Sequence, residues 1–445
     1  MIFDLKNCTT NESSSIKDAL KKMETNTYGF IFTVDDDEKV SGLATDGDVR
    51  RGLIKGITIN MPISKCANPN FLSASTDTTR EQLIKRLDSQ IKFIPILSKE
   101  GKLDSIISKS HLPLPNQNKV YYRSRAPVRV SFGGGGSDLT HYFKDNSGAV
   151  INSTISIYSH ATMKPRNDSK ICIYSSDLQS SLTAKNLGDA LSQKGPFGLI
   201  QSLLHIINPA HGFDLYLRSD FPLGSGLGGS ATISAAVLGC FNMLRQDKWK
   251  QHELAEIAFQ AERLHLGING GWQDQYASVF GGFNFIEFNA DENIVSPIRL
   301  DPDVRLELEE NLILCNTGIN HNSGDIHDNQ EKTMSESNIK SLVEQNVKLT
   351  YQIRNHLLKG NLKEFANCLN EAWKLKKNFS PMISNNAIDK IYDGAIGHGA
   401  SGGKLLGAGG GGFFIFYATP FNKDELMQFL KSQNLTIKNF QFESD

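Results

Sequence analysis

Three glycine-rich segments constrain this 445-residue chain more than any other feature: "SFGGGGSDL" (131–139), "PLGSGLGGSAT" (222–232) and "GASGGKLLGAGGGGFFIFY" (399–417). Glycine at this density lets backbone approach a ligand closely and supplies the positive φ of anion-binding turns. The first segment continues a basic strand of alternating polarity, "RAPVRV" (125–130), and the third runs into a wholly apolar strand, "FFIFY" (413–417). Tight turns that merely pack together would account for one such loop. Three of them, with an acid and a base embedded, point to a ligand site.

The middle segment satisfies G-x-G-x-x-G through Gly224, Gly226 and Gly229, and it lacks the lysine of a Walker loop. A dinucleotide fold would follow it with a second strand ending in an acid. Instead "SATISAAVLGCFNMLRQ" reads as a long small-residue helix, and "QHELAEIAFQAERLHLG" as another. The dinucleotide reading fails. What remains is an anion site at a helix N-terminus, where the amides of residues 225–231 face a phosphate and Ser230 adds a hydroxyl.

On the next helix Leu254, Ile257, Ala258, Ala261 and Leu264 mark one buried face. Glu262 lies at its edge, about 80° from Leu254 at 100° per residue. It reads as a cation ligand or as a boundary glutamate paired with a base. His265 is expected near the centre of the face, as a core histidine. Asp274, between Gln273 and Gln275 after a glycine turn, is a general-base candidate.

The first hundred residues repeat. Residues 16–48 align with 79–111 without a gap, placing Leu20 on Leu83, Ile31 on Ile94, Val34 on Leu97 and Val40 on Leu103. Each copy reads helix, strand, turn, strand, and two matched units are expected to bury their sheets against each other. The first copy ends in "GLATDGDVRR", where Thr45, Asp46 and Asp48 follow the last strand; Ser108 and Lys109 stand there in the second. This resembles a pair of cystathionine-β-synthase (CBS) domains, which implies an adenosine nucleotide held by Thr45, Asp46 and Asp48, or a pair that mediates homodimerisation. A helix cap made by the same residues stays open beside it. The pair is expected over 1–112 and a linker over 113–120.

Lys+Arg 47 against Asp+Glu 48 leaves a net charge of −1, which gives no electrostatic reason for nucleic-acid or membrane-surface binding. Six scattered cysteines without C-x-x-C fit a reducing compartment, and no apolar run is long enough to span a membrane. A cytoplasmic protein is expected.

From residue 121 onward the three segments, in this order, resemble the three motifs of the GHMP kinase superfamily. That resemblance implies an α+β fold, with a ribosomal-protein-S-like kinase N-terminal domain over 121–310 and a ferredoxin-like C-terminal one over 311–445, and ATP and Mg2+ as cofactors. The second motif, "PLGSGLGGSA", implies nucleotide binding by Gly224, Ser225, Gly226, Leu227, Gly228, Gly229, Ser230 and Ala231, with Gly229 in place of a serine. Ser230 and Glu262 match the magnesium ligands, Asp274 the catalytic aspartate, and Arg129 the basic residue beside the acceptor hydroxyl. Asp138, with Gly135 and Gly136, falls where sugar kinases hold the sugar.

The segments look most like the heptose 7-phosphate 1-kinase branch, implying phosphorylation of the anomeric hydroxyl of D-glycero-D-manno-heptose 7-phosphate for nucleotide-activated heptose and surface glycans. His321 departs from the arginine common in "T-G-x-x-R-x-S", and Ser137 from a threonine. A kinase of a free fucose- or galactose-type sugar, and an inactive sugar and nucleotide sensor, stay open. No pocket for a distal phosphate can be assigned. Lys164, Arg166 and Arg218 are candidates for it, each also readable as a solvated surface charge.

Overall fold

The computed structural model describes residues 4–87, 91–109, 112, 120–222, 224–319, 323–334 and 337–443, in two compact units, Met1–Lys119 and Val120–Asp445. Most of the expected linker and His321 lie outside the described residues.

In the first unit the repeat becomes two copies of one motif. Helix Ile16–Asn26 and the antiparallel strands Phe30–Val34 and Val40–Thr45 are matched by helix Arg80–Arg86 and the strands Phe93–Leu97 and Leu103–Ser108. Short parallel edge strands, Thr9–Asn11 and Ala74–Ser75, complete two three-stranded sheets. Even the irregularities repeat, since a β-bulge falls between Thr33 and Val34 and again between Ile96 and Leu97. Equivalent residues meet: the rings of Phe30 and Phe93 are 4.6 Å apart, and Lys39 bridges Lys102 through the backbone. Pairing of like with like is what an approximate two-fold axis produces, and it buries Cys8, Phe30, Phe32 and Ile106 in a shared core. Neither half could bury that surface alone.

Thr45 caps helix Asp46–Ile54. Its hydroxyl accepts from the Asp48 amide at 3.2 Å, and the Asp48 carboxylate accepts from the Thr45 amide at 2.9 Å. The capping alternative is therefore realised by Thr45 and Asp48, and the carboxylate of Asp46 is exposed.

The second unit is α+β. Its larger sheet has seven strands, in the order Ser180–Ala184, Ile171–Ser175, Phe213–Ser219, Gly148–Pro165, Phe283–Phe288, Asn293–Pro297, with Tyr122–Gly133 also paired to Gly148–Pro165. The smaller sheet is antiparallel, in the order Gly402–Leu405, Phe413–Tyr417, Leu312–Asn316, Thr436–Lys438. "FFIFY" is buried at every position, as its unbroken apolarity requires. The chain passes from the larger sheet to the smaller at helix Pro302–Asn311 and strand Leu312–Asn316. One core nevertheless spans both sheets, joining Val128, Val130 and Phe132 to Leu314, Phe413 and Ile415.

One helix departs from the sequence reading. After Gln251–Phe259 the chain widens into a π-turn, Gln260–His265. A wheel drawn at 100° per residue loses register there, because a π-turn holds an extra residue. Leu264, expected inside, is 73% exposed, and His265, expected in the core, is exposed. Glu262 moves the opposite way, from the edge to the interior. Ala258 and Ala261 are buried as expected.

Candidate active site

The larger sheet delivers Arg129 to the floor of a cavity of about 410 Å³. Strand Tyr122–Gly133 ends in the first glycine segment, so its last residues leave the sheet beneath this cavity. Arg129 is buried, and its guanidinium is committed: Nε and Nη2 donate to the two carboxylate oxygens of Asp274, each at 2.8 Å, and Nη1 donates to the Gly226 carbonyl at 2.8 Å. The two-point geometry of an arginine fork fixes the plane of the carboxylate.

Asp274 is positioned from its own side as well. The Trp272 ring stacks on Phe259 with centroids 3.5 Å apart, its indole N–H donates to Thr140, and its amide donates to the Asp138 carbonyl. Helix Gln273–Phe280 starts there, which places Asp274 in its first turn. Gly228, at φ +79°, lies against the same carboxylate: a Cβ on it would stand 3.2 Å from Asp274 Cγ and Oδ2. Only glycine meets both demands.

Gly228 is also the N-cap of helix Gly229–Asn242, and no side chain caps that helix. Its first amides are left without the usual side-chain acceptor, and Gly228, Gly229, Ser230 and Ala231 all line the cavity. That is the arrangement an anion needs. Gly224, Ser225 and Gly226 line it too, while Leu227 turns into the core. The third glycine segment buttresses this loop: a Cβ on Gly407, at φ +71°, would reach within 2.5 Å of the Gly226 carbonyl oxygen.

Glu262 is 5% exposed, accepts from Gln275 Nε2 at 2.8 Å and from the Ser230 hydroxyl, and faces Arg263 at 3.4 Å. Burial pushes its carboxyl above the usual range, with Arg263 opposing. A buried carboxylate beside a hydroxyl is a hard-oxygen pair suited to magnesium, which commonly takes one or two protein ligands and completes its shell with phosphate and water. Ser230 and Glu262 would hold such an ion together with a bound phosphate.

Asp138 is buried, accepting from the Gly136 amide at 3.0 Å and the Gln273 amide at 3.2 Å. Burial, then the charge of Asp274, raises its pKa. Gly135 and Gly136 line the cavity beside it.

The site residues named from the second unit's sequence thus lie around one cavity, Leu227 apart. Arg166 and Arg218 do not: they pair with Asp168, Asp214 and Asp220 outside it, and Lys164 lies with Arg166. Sequence reading missed two lysines in the cavity wall, Lys376 and Lys404. Lys404 could have been found, as the one charge in the apolar stretch "GGKLLGAGG". Lys376 sits in "KLKK" and looks like a solvated helix face.

Uncapped helix amides, a paired hydroxyl and carboxylate, and an arginine-clamped aspartate are groups that together could hold and transfer a phosphate. Models of the GHMP kinases N terminal domain and of the GHMP kinases C terminal match residues 196–282 and 353–434, and a CBS domain model matches 4–55. The chain is 33% identical over 326 residues to D-glycero-alpha-D-manno-heptose 7-phosphate kinase of Campylobacter jejuni, covering 72% of this chain and 96% of that one. It is 27% identical over 363 residues to the bifunctional fucokinase/GDP-fucose pyrophosphorylase of Arabidopsis thaliana, covering 76% of this chain but 33% of that one. The crystal structure of a D-glycero-D-manno-heptose 1-phosphate kinase from Bacteriodes thetaiotaomicron superposes with a TM-score of 0.59 at 29% identity, over 73% of this chain and 96% of that one. The chain belongs to the GHMP kinases and carries a CBS domain. Its activity is that of the family's sugar kinases, ATP-dependent phosphotransfer to a sugar. Among the described residues no helix is long and apolar enough to cross a membrane.

Proposed function

We propose that the protein transfers the γ-phosphoryl group of ATP to the anomeric hydroxyl of a sugar phosphate, D-glycero-D-manno-heptose 7-phosphate being the substrate that the similarity to the Campylobacter jejuni kinase favours. The observation that carries the reading is the Arg129–Asp274 pair, set between the uncapped helix N-terminus and Asp138 in one cavity. The amides of residues 224–231 hold the nucleotide's phosphates, and the apolar wall of Leu178, Phe197, Ile200 and Ile233 takes its base. Asp138, flanked by Gly135 and Gly136, accepts hydrogen bonds from the sugar's hydroxyls. Ser230 and Glu262 would hold magnesium beside the phosphates, and the ion would supply charge neutralisation on the transferring group.

The anomeric oxygen attacks the γ-phosphorus, the bond from that phosphorus to the bridging oxygen of ADP breaks, and the hydroxyl proton passes to Asp274. Arg129 keeps the aspartate aimed. Such a reaction asks mainly for positioning and charge neutralisation. In an ADP-release assay, Asp274→Asn is expected to lower turnover by ~10²-fold or more while ATP still binds. A near-wild-type Asn variant would remove Asp274 from the base role.

For the CBS unit we propose an adenosine nucleotide at Thr45, Asp46 and Asp48, the exposed Asp46 facing its ribose. Titrating ATP and AMP into full-length protein and its Asp46→Ala variant tests this. Equal binding by both proteins would reject it.

A further inference from the structure

Lys376 and Lys404 are 6% and 3% exposed, yet both line the cavity. Lys376 lies at the end of helix Leu362–Lys377. Its neighbours Lys374 and Lys377 turn outward to Glu371 and Asp389, while its own ammonium turns inward and donates to the Gly407 carbonyl. A Cβ on Gly135 would stand 3.9 Å from Lys376 Nζ, so the ammonium sits between the first and third glycine segments. Lys404 belongs to strand Gly402–Leu405, and among the described residues no carboxylate or carbonyl pairs with it. The charges that bear on it are those of Lys376 and Arg129, both positive. An ammonium buried beside two other cations is costly until an anion arrives.

Position says which anion. Ser230, Glu262 and Arg263 gather around the helix N-terminus, where the nucleotide's phosphates are proposed to lie. The Lys376 ammonium lies against Gly135, in the segment that also carries Asp138 and where the sugar is proposed to lie, and Lys404 lines the same cavity from strand Gly402–Leu405. We infer that Lys404, seconded by Lys376, is the seat for the phosphate group that the sugar carries away from its anomeric carbon. This rests on the sugar-phosphate kinase reading above and names the residues that read the phosphate. It also explains selectivity, since a free sugar in the same cleft would leave Lys404 buried and unpaired, and such a site rejects the analogue lacking the partner. Burial and neighbouring cations hold Lys404 well below the usual lysine range and Lys376 at about 8, so a phosphate dianion would bind with proton uptake.

The test uses the full-length protein and Lys404→Met, which keeps the stem. The ratio of kcat/KM for D-glycero-D-manno-heptose 7-phosphate to that for the unphosphorylated heptose is expected to fall ~10–100-fold, the worth of a charged hydrogen bond, with KM for ATP at its wild-type value. An unchanged ratio, or a rise in KM for ATP with turnover lost on both sugars, would overturn the inference; the second would assign the lysines to the γ-phosphate. Should Lys404→Met not fold, Lys404→Ala and Lys376→Met are read by the same ratio. If the wild type phosphorylates no sugar, the functional reading fails by itself. The seat is then judged by inorganic phosphate, which must raise the melting temperature of the wild type more than that of Lys404→Met; equal shifts would overturn it.

Discussion

Gly228→Ala isolates the contact between the anion loop and the aspartate. At φ +79° a Cβ costs ~1–2 kcal/mol in the left-handed region. It would also stand 3.2 Å from Asp274 Cγ and Oδ2, closer than most real Cβ contacts, so the carboxylate must yield by a few tenths of an ångström. It cannot yield freely, because both of its oxygens are held by Arg129 at 2.8 Å. A shift that approaches 1 Å costs up to ~10²-fold in rate. For a few tenths of an ångström turnover is therefore expected to fall by up to ~10-fold, with a stability loss of ~1–2 kcal/mol measured by urea unfolding. Gly188→Ala, at an exposed helical site outside the cavity, serves as the control and should leave turnover unchanged. The double variant Gly228→Ala/Asp274→Asn should turn over no more slowly than Asp274→Asn alone, because both act through one group. Wild-type turnover in Gly228→Ala, or full additivity in the double variant, would refute the reasoning.

Three further outcomes are expected. Glu262 has a raised carboxyl pKa in the folded protein, so its stabilising share is complete at low pH and is lost as pH rises through the folded value; Glu262→Gln should raise the melting temperature of the ligand-free protein at pH 7, yet ~10-fold more magnesium should be needed for half-maximal rate. Lys376 at about 8 against an ordinary 10.5 binds fewer protons folded than unfolded between those values. Stability of the ligand-free protein should therefore rise from pH 8 to 10.5, and Lys376→Met should reduce that slope in denaturant titrations. In the first unit Thr45→Ala removes the cap of helix Asp46–Ile54 and should cost ~1 kcal/mol, read in its own unfolding transition.

Much of this was legible in the sequence, for identifiable reasons. Glycine segments advertise close backbone approach, and the approaches are there, Gly228 on Asp274 and Gly407 on Gly226. The repeat was legible because two-fold packing needs equivalent residues on both sides, as Phe30 and Phe93 show. The reading failed where local regularity broke. A π-turn at Gln260–His265 exchanged the environments of Glu262 and Leu264, and a wheel of fixed period has no means to anticipate it. Lys376 was hidden because "KLKK" carries three lysines and only tertiary packing selects the one that turns inward. Lys404, by contrast, is the one charge in the apolar stretch "GGKLLGAGG", a signal that its sequence does carry.

The central claim is phosphoryl transfer to an anomeric oxygen of a sugar that already carries a phosphate. The most direct measurement is phosphorus NMR of the full-length protein with ATP, magnesium and D-glycero-D-manno-heptose 7-phosphate, beside free fucose, galactose and mannose. A new anomeric phosphate resonance on the heptose 7-phosphate, matched by ADP and absent with the free sugars, is the predicted result. A product formed only from a free sugar, or no product from any sugar while ATP remains bound, would contradict it.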